Sequence, residues 1–149
     1  MPTIVTNKRV AYDYQIIKDF EAGIVLSGAE VKSVKKGQIN LKGSYVSLRN
    51  GELWLIKTHI SPYAMATNQG DYDPTRDRKL LLKREEIDSL IGQLKSHGLT
   101  VLPHSVYTKG SLIKVKLCLC RGKKAHDKRE SIKKKESDRR LRRLMRNKT

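Results

Sequence analysis

The sequence predicts a mainly β protein with a few helices. About six antiparallel strands form one body over residues 1–120, and a basic tail, disordered on its own, covers residues 121–149. Three observations carry this. Apolar and polar residues alternate through most of the body, the period of half-buried strands. An Asn50-Gly51 turn sits between two such runs, the strongest short hairpin signal. Charge is divided unevenly: Arg121–Thr149 holds fourteen Lys/Arg against four Asp/Glu, a net of about +10 out of the chain's +17. A segment with so few apolar side chains cannot bury enough surface to fold alone.

At 149 residues the chain supports a single domain with a real core. Hydrophobic residues make up 38% and charged residues 32%. The pI of about 10.1 points to a polyanionic partner, nucleic acid or an anionic membrane. No apolar run comes near the roughly 18 residues that a spanning helix needs, and Met1–Thr6 lacks the pattern of a secretory leader. The expected partner is therefore nucleic acid and not membrane, and the expected location is cytoplasmic.

Taken in order, Thr3–Val10 reads as a polar start. Tyr12, Tyr14 and Ile16 alternate with Asp13 and Gln15 as a strand, and the apolar pattern resumes at Ile24 and Leu26 past a bend at Gly23. Ser27-Gly28-Ala29-Glu30 has capping-box spacing, so a short helix follows and ends at Gly37, with Lys32, Lys35 and Lys36 on its exposed side. Tyr45–Arg49 and Glu52–Ile56 form a hairpin in which Arg49 faces Glu52, Leu48 faces Leu53, Ser47 faces Trp54 and Val46 faces Leu55. The Arg49–Glu52 pair closes it with opposite charges.

Residues 61–78 lack periodicity and contain Pro62, Gly70 and Asp73-Pro74. Both a solvated loop and a phosphate-contacting rim fit them. Ile87, Leu90, Ile91 and Leu94 give a second helix, with acids at its positive end and Gly98 as its stop. A last hairpin joins Leu99–Thr108 to Ser111–Cys120, with Pro103 marking an edge or bulge. Ile113, Val115, Leu117 and Leu119 share one face, and Lys114, Lys116, Cys118 and Cys120 the other. The two cysteines read as structural thiols, because a zinc site lacks further ligands at sensible spacing. This element count and charge fit a small barrel of the oligonucleotide-binding type.

No nucleophile elbow, phosphate-cradling Gly loop or His-x-x-x-His pair is present, and the four histidines are scattered. The reading is therefore not an enzyme, with no cofactor and no metal. Aromatics are only 5%. Single-strand binders stack bases on several rings, so the composition favours folded, largely double-helical RNA read by shape and phosphate contacts. In the tail, Glu136 and Arg140 are spaced to support a helix once phosphates neutralise the excess charge.

Five stretches in register resemble the SsrA-binding protein family, the small protein B that partners transfer-messenger RNA in bacteria. They are Asn7-Lys8-Arg9; Phe20 to Ile24; Gly28 to Ser33; Asp73 to Arg76 with Arg78 to Leu82; and Gly122-Lys123-Lys124 with His126 to Arg129. The resemblance implies an RNA-binding barrel that holds the tRNA-like domain and delivers the RNA to stalled 70S ribosomes for trans-translation. It also implies contact with elongation factor Tu through the RNA and a monomeric protein. On this sequence it implies RNA contacts at Asn7, Lys8, Arg9, Glu21, Lys32, Arg76, Arg78, Lys79, Leu81 and Lys83, with Glu21 and Leu81 facing the RNA elbow. Lys83 stands where some relatives have Asn. The tail residues Gly122, Lys123, Lys124, His126, Asp127, Lys128 and Arg129 would occupy the empty message channel near the decoding centre, against small-subunit rRNA. A ribosomal protein with an extension threaded into rRNA is the rival reading, and a small RNA nuclease is a second.

Overall fold

The order of elements is β1 (Thr3–Thr6), α1 (Lys8–Asp13), β2 (Tyr14–Ile24), α2 (Gly28–Lys35), β3 (Ile39–Asn40), β4 (Tyr45–Arg49), β5 (Glu52–Ile56), β6 (His59–Ile60), β7 (Arg78–Leu81), α3 (Arg84–Leu94), β8 (Leu99–Lys109) and β9 (Leu112–Gly122). The structure is a computed structural model, and it describes residues 2–64, 70–95, 98–122 and 139–143. Seven strands form one antiparallel sheet in the order β1-β8-β9-β2-β7-β5-β4, and β3 pairs with β6. The sheet curls until β4 packs near β8, around an interior of Phe20, Ala22, Leu53, Leu55, Leu80, Val115, Leu117 and Leu119. Each fully buried Val or Leu contributes roughly 1.5–3 kcal/mol relative to exposure, so this interior is the main source of stability.

The expected hairpins are present. All four residue pairs of β4 and β5 form as expected, with Asn50 at φ 51° and Gly51 at φ 74° in the turn. Leu48, close to the turn, is 38% exposed while its partner Leu53 is buried. The β8–β9 ladder has its irregularity between Pro103 and Ser105, at the proline. Its inward residues Ile113, Val115, Leu117 and Leu119 are all buried. The capping box forms in full. The Ser27 hydroxyl accepts from the Glu30 amide at 3.2 Å, and Glu30 Oε1 accepts from the Ser27 amide at 3.0 Å.

Nine strands rather than about six arise because β1, β3 and β6 are too short to carry a period and are defined by partners distant in sequence. The chain start also differs from expectation. Asn7 Oδ1 accepts from the Arg9 amide at 3.2 Å and caps a six-residue helix, so the strand begins at Tyr14 and not at Tyr12. That helix buries Val10 against Leu102, Cys118, Cys120 and Tyr14 on the outer side of the sheet. Both thiols are free and buried. Burial, and after it the Asp19 hydrogen bond, pushes Cys118 up to about 12; burial pushes Cys120 up to about 11. The shift in the β2–β9 ladder falls between Ile16 and Lys18, not at Gly23. Gly23 is instead where β2 pairs with β9 and β7 at once.

β9 carries the sheet through Gly122, pairing Arg121 with Gln15 and Gly122 with Tyr14, two residues into the expected tail. Residues 139–143 are helical, with Leu141 exposed. Glu136 and His97 lie outside the described residues. No helix among the described residues is long and apolar enough to cross a membrane.

Candidate nucleic-acid interface

Among the described residues, the outer face of the sheet is open beyond the part covered by α1. On it Glu21 of β2 pairs with Lys116 of β9, Gly23 pairs with Lys114 and with Leu81, and Lys114 pairs with Tyr107 of β8. Strand alternation places all of them on one side, with Lys79 two residues from Leu81. Glu21 and Leu81, expected to face the RNA, therefore stand near each other on this face, while Lys79 lies further along it, beside Val25 and away from Glu21. Leu81 is 51% exposed beside a glycine whose added Cβ would lie 3.4 Å from the Leu81 Cβ. An open groove of about 280 Å³ runs alongside, lined by Ile24, Leu26, Val31 and Leu112.

The Glu21 carboxylate is held from two sides. The Tyr107 hydroxyl donates to Oε2, and Lys109 Nζ lies 3.3 Å from Oε1. The Tyr107 hydrogen bond, aided by Lys109 and Lys114, outweighs the opposing effect of desolvation and holds this carboxyl below its ordinary value. Burial and the bond to Glu21 push the Tyr107 hydroxyl up to about 12, so it remains a donor. Lys116 is engaged with Asp19 at 3.4 Å, and Lys79 with Glu52 at 3.1 Å. Lys83 caps α3, its amide donating to Glu86 Oε1 at 3.3 Å while its side chain is exposed. Sequence placed Lys114 and Lys116 on the polar side of β9. It gave no sign that Tyr107 and Lys109 meet Glu21, more than eighty residues away.

A second group lies at α1. Asn7 spends its side chain internally, capping Arg9 and donating Nδ2 to the Leu41 carbonyl at 3.4 Å, whereas Lys8 and Arg9 are exposed. A cleft of about 510 Å³ opens there between α1, Lys42–Tyr45 and β8, with Arg9 and Lys42 among its lining.

Within the basic stretch at residues 76–79 the structure turns one expected contact, Arg78, inward. Arg78 has no exposed side-chain surface. Its Nε and Nη2 donate to Glu30 Oε2 at 2.8 and 2.6 Å, Nη1 to the Thr58 carbonyl at 2.6 Å, and Nη2 to the Pro74 carbonyl at 3.0 Å. Its guanidinium is buried in the interior, out of reach of a phosphate, contrary to its expected RNA contact. Arg76 is also tied to Glu30 through Nη2, but keeps 38% of its side chain exposed. Tyr72 accepts from Arg78 and donates to the Ile60 carbonyl at 2.8 Å. Burial alone would raise the Glu30 carboxyl, but the hydrogen bonds from Arg76, the Ser27 amide and Arg78 outweigh it and hold it at about 2. The end of the 61–78 segment is thereby fixed to α2. On α2 the ammonium groups of Lys32 and Lys36 lie 5.5 and 4.9 Å from the centre of the Tyr63 ring. Of the expected tail residues, Gly122 ends β9, while Lys123, Lys124, His126, Asp127, Lys128 and Arg129 lie outside the described residues.

The family model described as SmpB protein matches residues 4–147. The chain belongs to the SmpB family. An SsrA-binding protein of Gloeothece citriformis is 49% identical over 142 residues, covering 95% of this chain and 92% of the relative. One from Desulfitobacterium hafniense is 44% identical over 143 residues, covering 96% and 91%. A solved structure described as "tmRNA-SmpB: a journey to the center of the bacterial ribosome" superposes with a TM-score of 0.68 at 40% identity, covering 86% of this chain and 93% of that one. The family resemblance read from short motifs thus extends over nearly the whole sequence. Among the described residues no group of three or more His, Cys, Asp or Glu could hold a metal ion.

Proposed function

We infer that this chain binds the tRNA-like domain of transfer-messenger RNA and delivers it to stalled ribosomes for trans-translation, acting as an adaptor and not as an enzyme. The observation that carries this reading is the near full-length likeness to SsrA-binding proteins at up to 49% identity, joined to an open, lysine-bearing sheet face on a chain of net charge +17. The body docks RNA through Glu21, Leu81, Lys109 and Lys114, with Lys32, Lys79 and Lys83 at its margins and Lys8 and Arg9 as a separate cationic group. The segment from Lys123 to Arg129 serves the decoding centre, where cations and His126 meet rRNA. The protein works as a cytoplasmic monomer and meets elongation factor Tu through the bound RNA.

Such binding is dominated by phosphate neutralisation. With about six to ten contacts, affinity falls by on the order of 10³–10⁵ between about 50 and 200 mM salt. Recovering the protein from cells and sequencing the RNA it carries tests the reading directly. Enrichment of transfer-messenger RNA is the expected result. Stoichiometric presence on every ribosome, with no dependence on that RNA, would instead establish the ribosomal-protein rival. Replacing Asp127, Lys128 and Arg129 with Ala is expected to spare RNA binding in a gel shift and abolish peptide tagging. Glu21→Ala is expected to do the reverse at the first step, weakening the gel shift itself.

A further inference from the structure

Strand β2 is paired on one side only for most of its length. β9 runs along it from Tyr14 to Gly23, but β7 meets its other side only at Gly23 and Ile24. Among the described residues the backbone edge from Gln15 to Glu21 therefore has no strand partner. An open edge is a template for a further strand. We propose that this edge takes up an extended peptide segment of another protein, apolar on one face and acidic on the other, as an added strand. The proposal stands on the sheet topology and does not rest on the RNA-binding reading.

The side chains along the edge define which strand fits. Gln15, Ile16, Ile17, Lys18 and Asp19 are all exposed, the two isoleucines at 39% and 49%. Pairing fixes their faces. Ile16 lies opposite Cys120 on the outer face, and Lys18 lies opposite Leu119 on the inner face, the side of Phe20. Ile17 is the extra residue of the bulge and has no partner on β9. An added strand sets alternate residues against these two faces, its main chain giving affinity and its side chains specificity. Residues that come beside Ile16 and Ile17 gain by being apolar. On the other face the Lys18 ammonium lies 5.1 Å from the centre of the Phe20 ring and, among the described residues, has no carboxylate partner. Its neighbour Asp19 is taken by Lys116 at 3.4 Å. An acid in the facing position pairs with Lys18, and opposite charges across a strand pair are stabilising.

A bulge and a charge turned to the inner side are also the devices by which natural edges refuse a strand. Here they refuse some strands and admit others. A second copy is refused, because two-fold pairing centred on Lys18 or Asp19 sets like charges directly opposite each other. The net charge of +17 adds repulsion between copies. An acidic segment reverses both effects: it neutralises Lys18, and the field of the whole chain draws it in. Selecting one partner through a charge that repels the others is a common route to specificity. The open edge begins at the end of β2 next to α1, whereas Leu81 stands at the opposite end, beside Gly23. An added strand therefore leaves the Leu81 end of the outer face uncovered.

A short capped peptide of alternating valine and glutamate is the probe, and amide hydrogen exchange of the full-length protein is the readout. At saturation the peptide is expected to slow exchange across Gln15–Glu21 roughly tenfold or more, with little change in β4 and β5. The same peptide methylated at alternate backbone nitrogens keeps its charge and side chains but loses the donors that face the edge. It should give no such protection. Lys18→Glu should weaken the glutamate peptide about two- to fivefold and favour a valine–lysine peptide in its place. Equal protection by the methylated peptide, or protection confined to residues outside Gln15–Glu21, would reveal mere attraction of an acidic chain to a basic protein and overturn the proposal. Absence of any protection would overturn it too. If raising the protein concentration alone protected the same amides, the occupant would be a second copy and the acidic partner would be wrong. Because the two peptides are compared on the unaltered protein, the outcome does not depend on how the variant folds.

Discussion

Glu30 and Glu21 are the same side chain placed in opposite settings, and the pair separates what holds this molecule together from what it offers to a partner. Both are held below the ordinary carboxyl value by neighbouring donors. Glu30 is 1% exposed and meets two arginines, one of them wholly buried. Glu21 is 37% exposed and meets a tyrosine and a lysine on the outer face of the sheet. In the first setting one guanidinium satisfies several buried acceptors: Arg78 donates to Glu30, Thr58 and Pro74 in one fork. In the second, acceptor capacity is left over. Identical chemistry thus serves architecture where water is excluded and recognition where it is not.

The sharpest way to break the comparison is to remove a partner from each site and measure stability. Arg78→Ala leaves Glu30 buried without its one fully buried cation and should cost roughly 3–5 kcal/mol in urea unfolding. Arg78→Met, which keeps the volume, is expected to fare better only when Glu30→Gln accompanies it. Glu21→Gln is exposed and should stay within about 0.5 kcal/mol, although it is the one expected to lose RNA. If Glu21→Gln destabilises the fold as much as Arg78→Ala, the division between the two sites is wrong.

Acid sharpens it next. Glu30 titrates near its ordinary 4.5 when unfolded and at about 2 when folded, so between those values the unfolded chain binds the extra proton. Stability from this group is complete above about pH 4.5 and is lost as pH falls toward about 2. Urea midpoints between these limits should fall steeply for the wild type and more shallowly for Glu30→Gln, while Glu21→Gln, whose carboxyl is also held low but is exposed, should flatten the slope less than Glu30→Gln does. A smaller effect belongs to Tyr72, whose hydroxyl links Arg78 to the Ile60 carbonyl. Tyr72→Phe should cost about 1 kcal/mol by the same measurement.

The ladder of hairpins was legible because alternation and turn residues act locally: Asn50-Gly51 sets the register of β4 and β5 without help from the rest of the chain. The Ser27–Glu30 capping box was legible for the same reason. What escaped was each feature set by distant contacts. Arg78 lies in a run that reads as solvated basic rim, and only its meeting with Glu30, 48 residues earlier, turns it inward. Glu30 looked fully occupied as a capping residue, yet a carboxylate has acceptor capacity for both tasks. Helix α1 is too short for a 3.6 period to show, and Val10 gains its place from the Cys118–Cys120 side of β9. At the interface, motif resemblance put Glu21 and Leu81 together, but the clasp by Tyr107 required the register of three strands.

The smallest expected effect comes from exposed charges that face each other across β4 and β5. Sequence pairs Arg49 with Glu52 across the turn, and their Cα positions do pair. Their charges go elsewhere: Arg49 to Asp77 at 2.5 Å, and Glu52 to Lys79 at 3.1 Å. All four side chains are more than a third exposed, so each bridge pays side-chain entropy in a screened setting and should contribute only about 0.2–1 kcal/mol. Double-mutant cycles at low salt should therefore give a small coupling for Arg49–Asp77 and for Glu52–Lys79, and one near zero for Arg49–Glu52. Raising the salt to about 1 M, where the screening length is only about 3 Å, should erase the first two without moving the Glu30–Arg78 cost. A strong, salt-resistant Arg49–Glu52 coupling would show that the turn is closed by charge after all, and that exposure alone does not decide which ion pairs hold this fold.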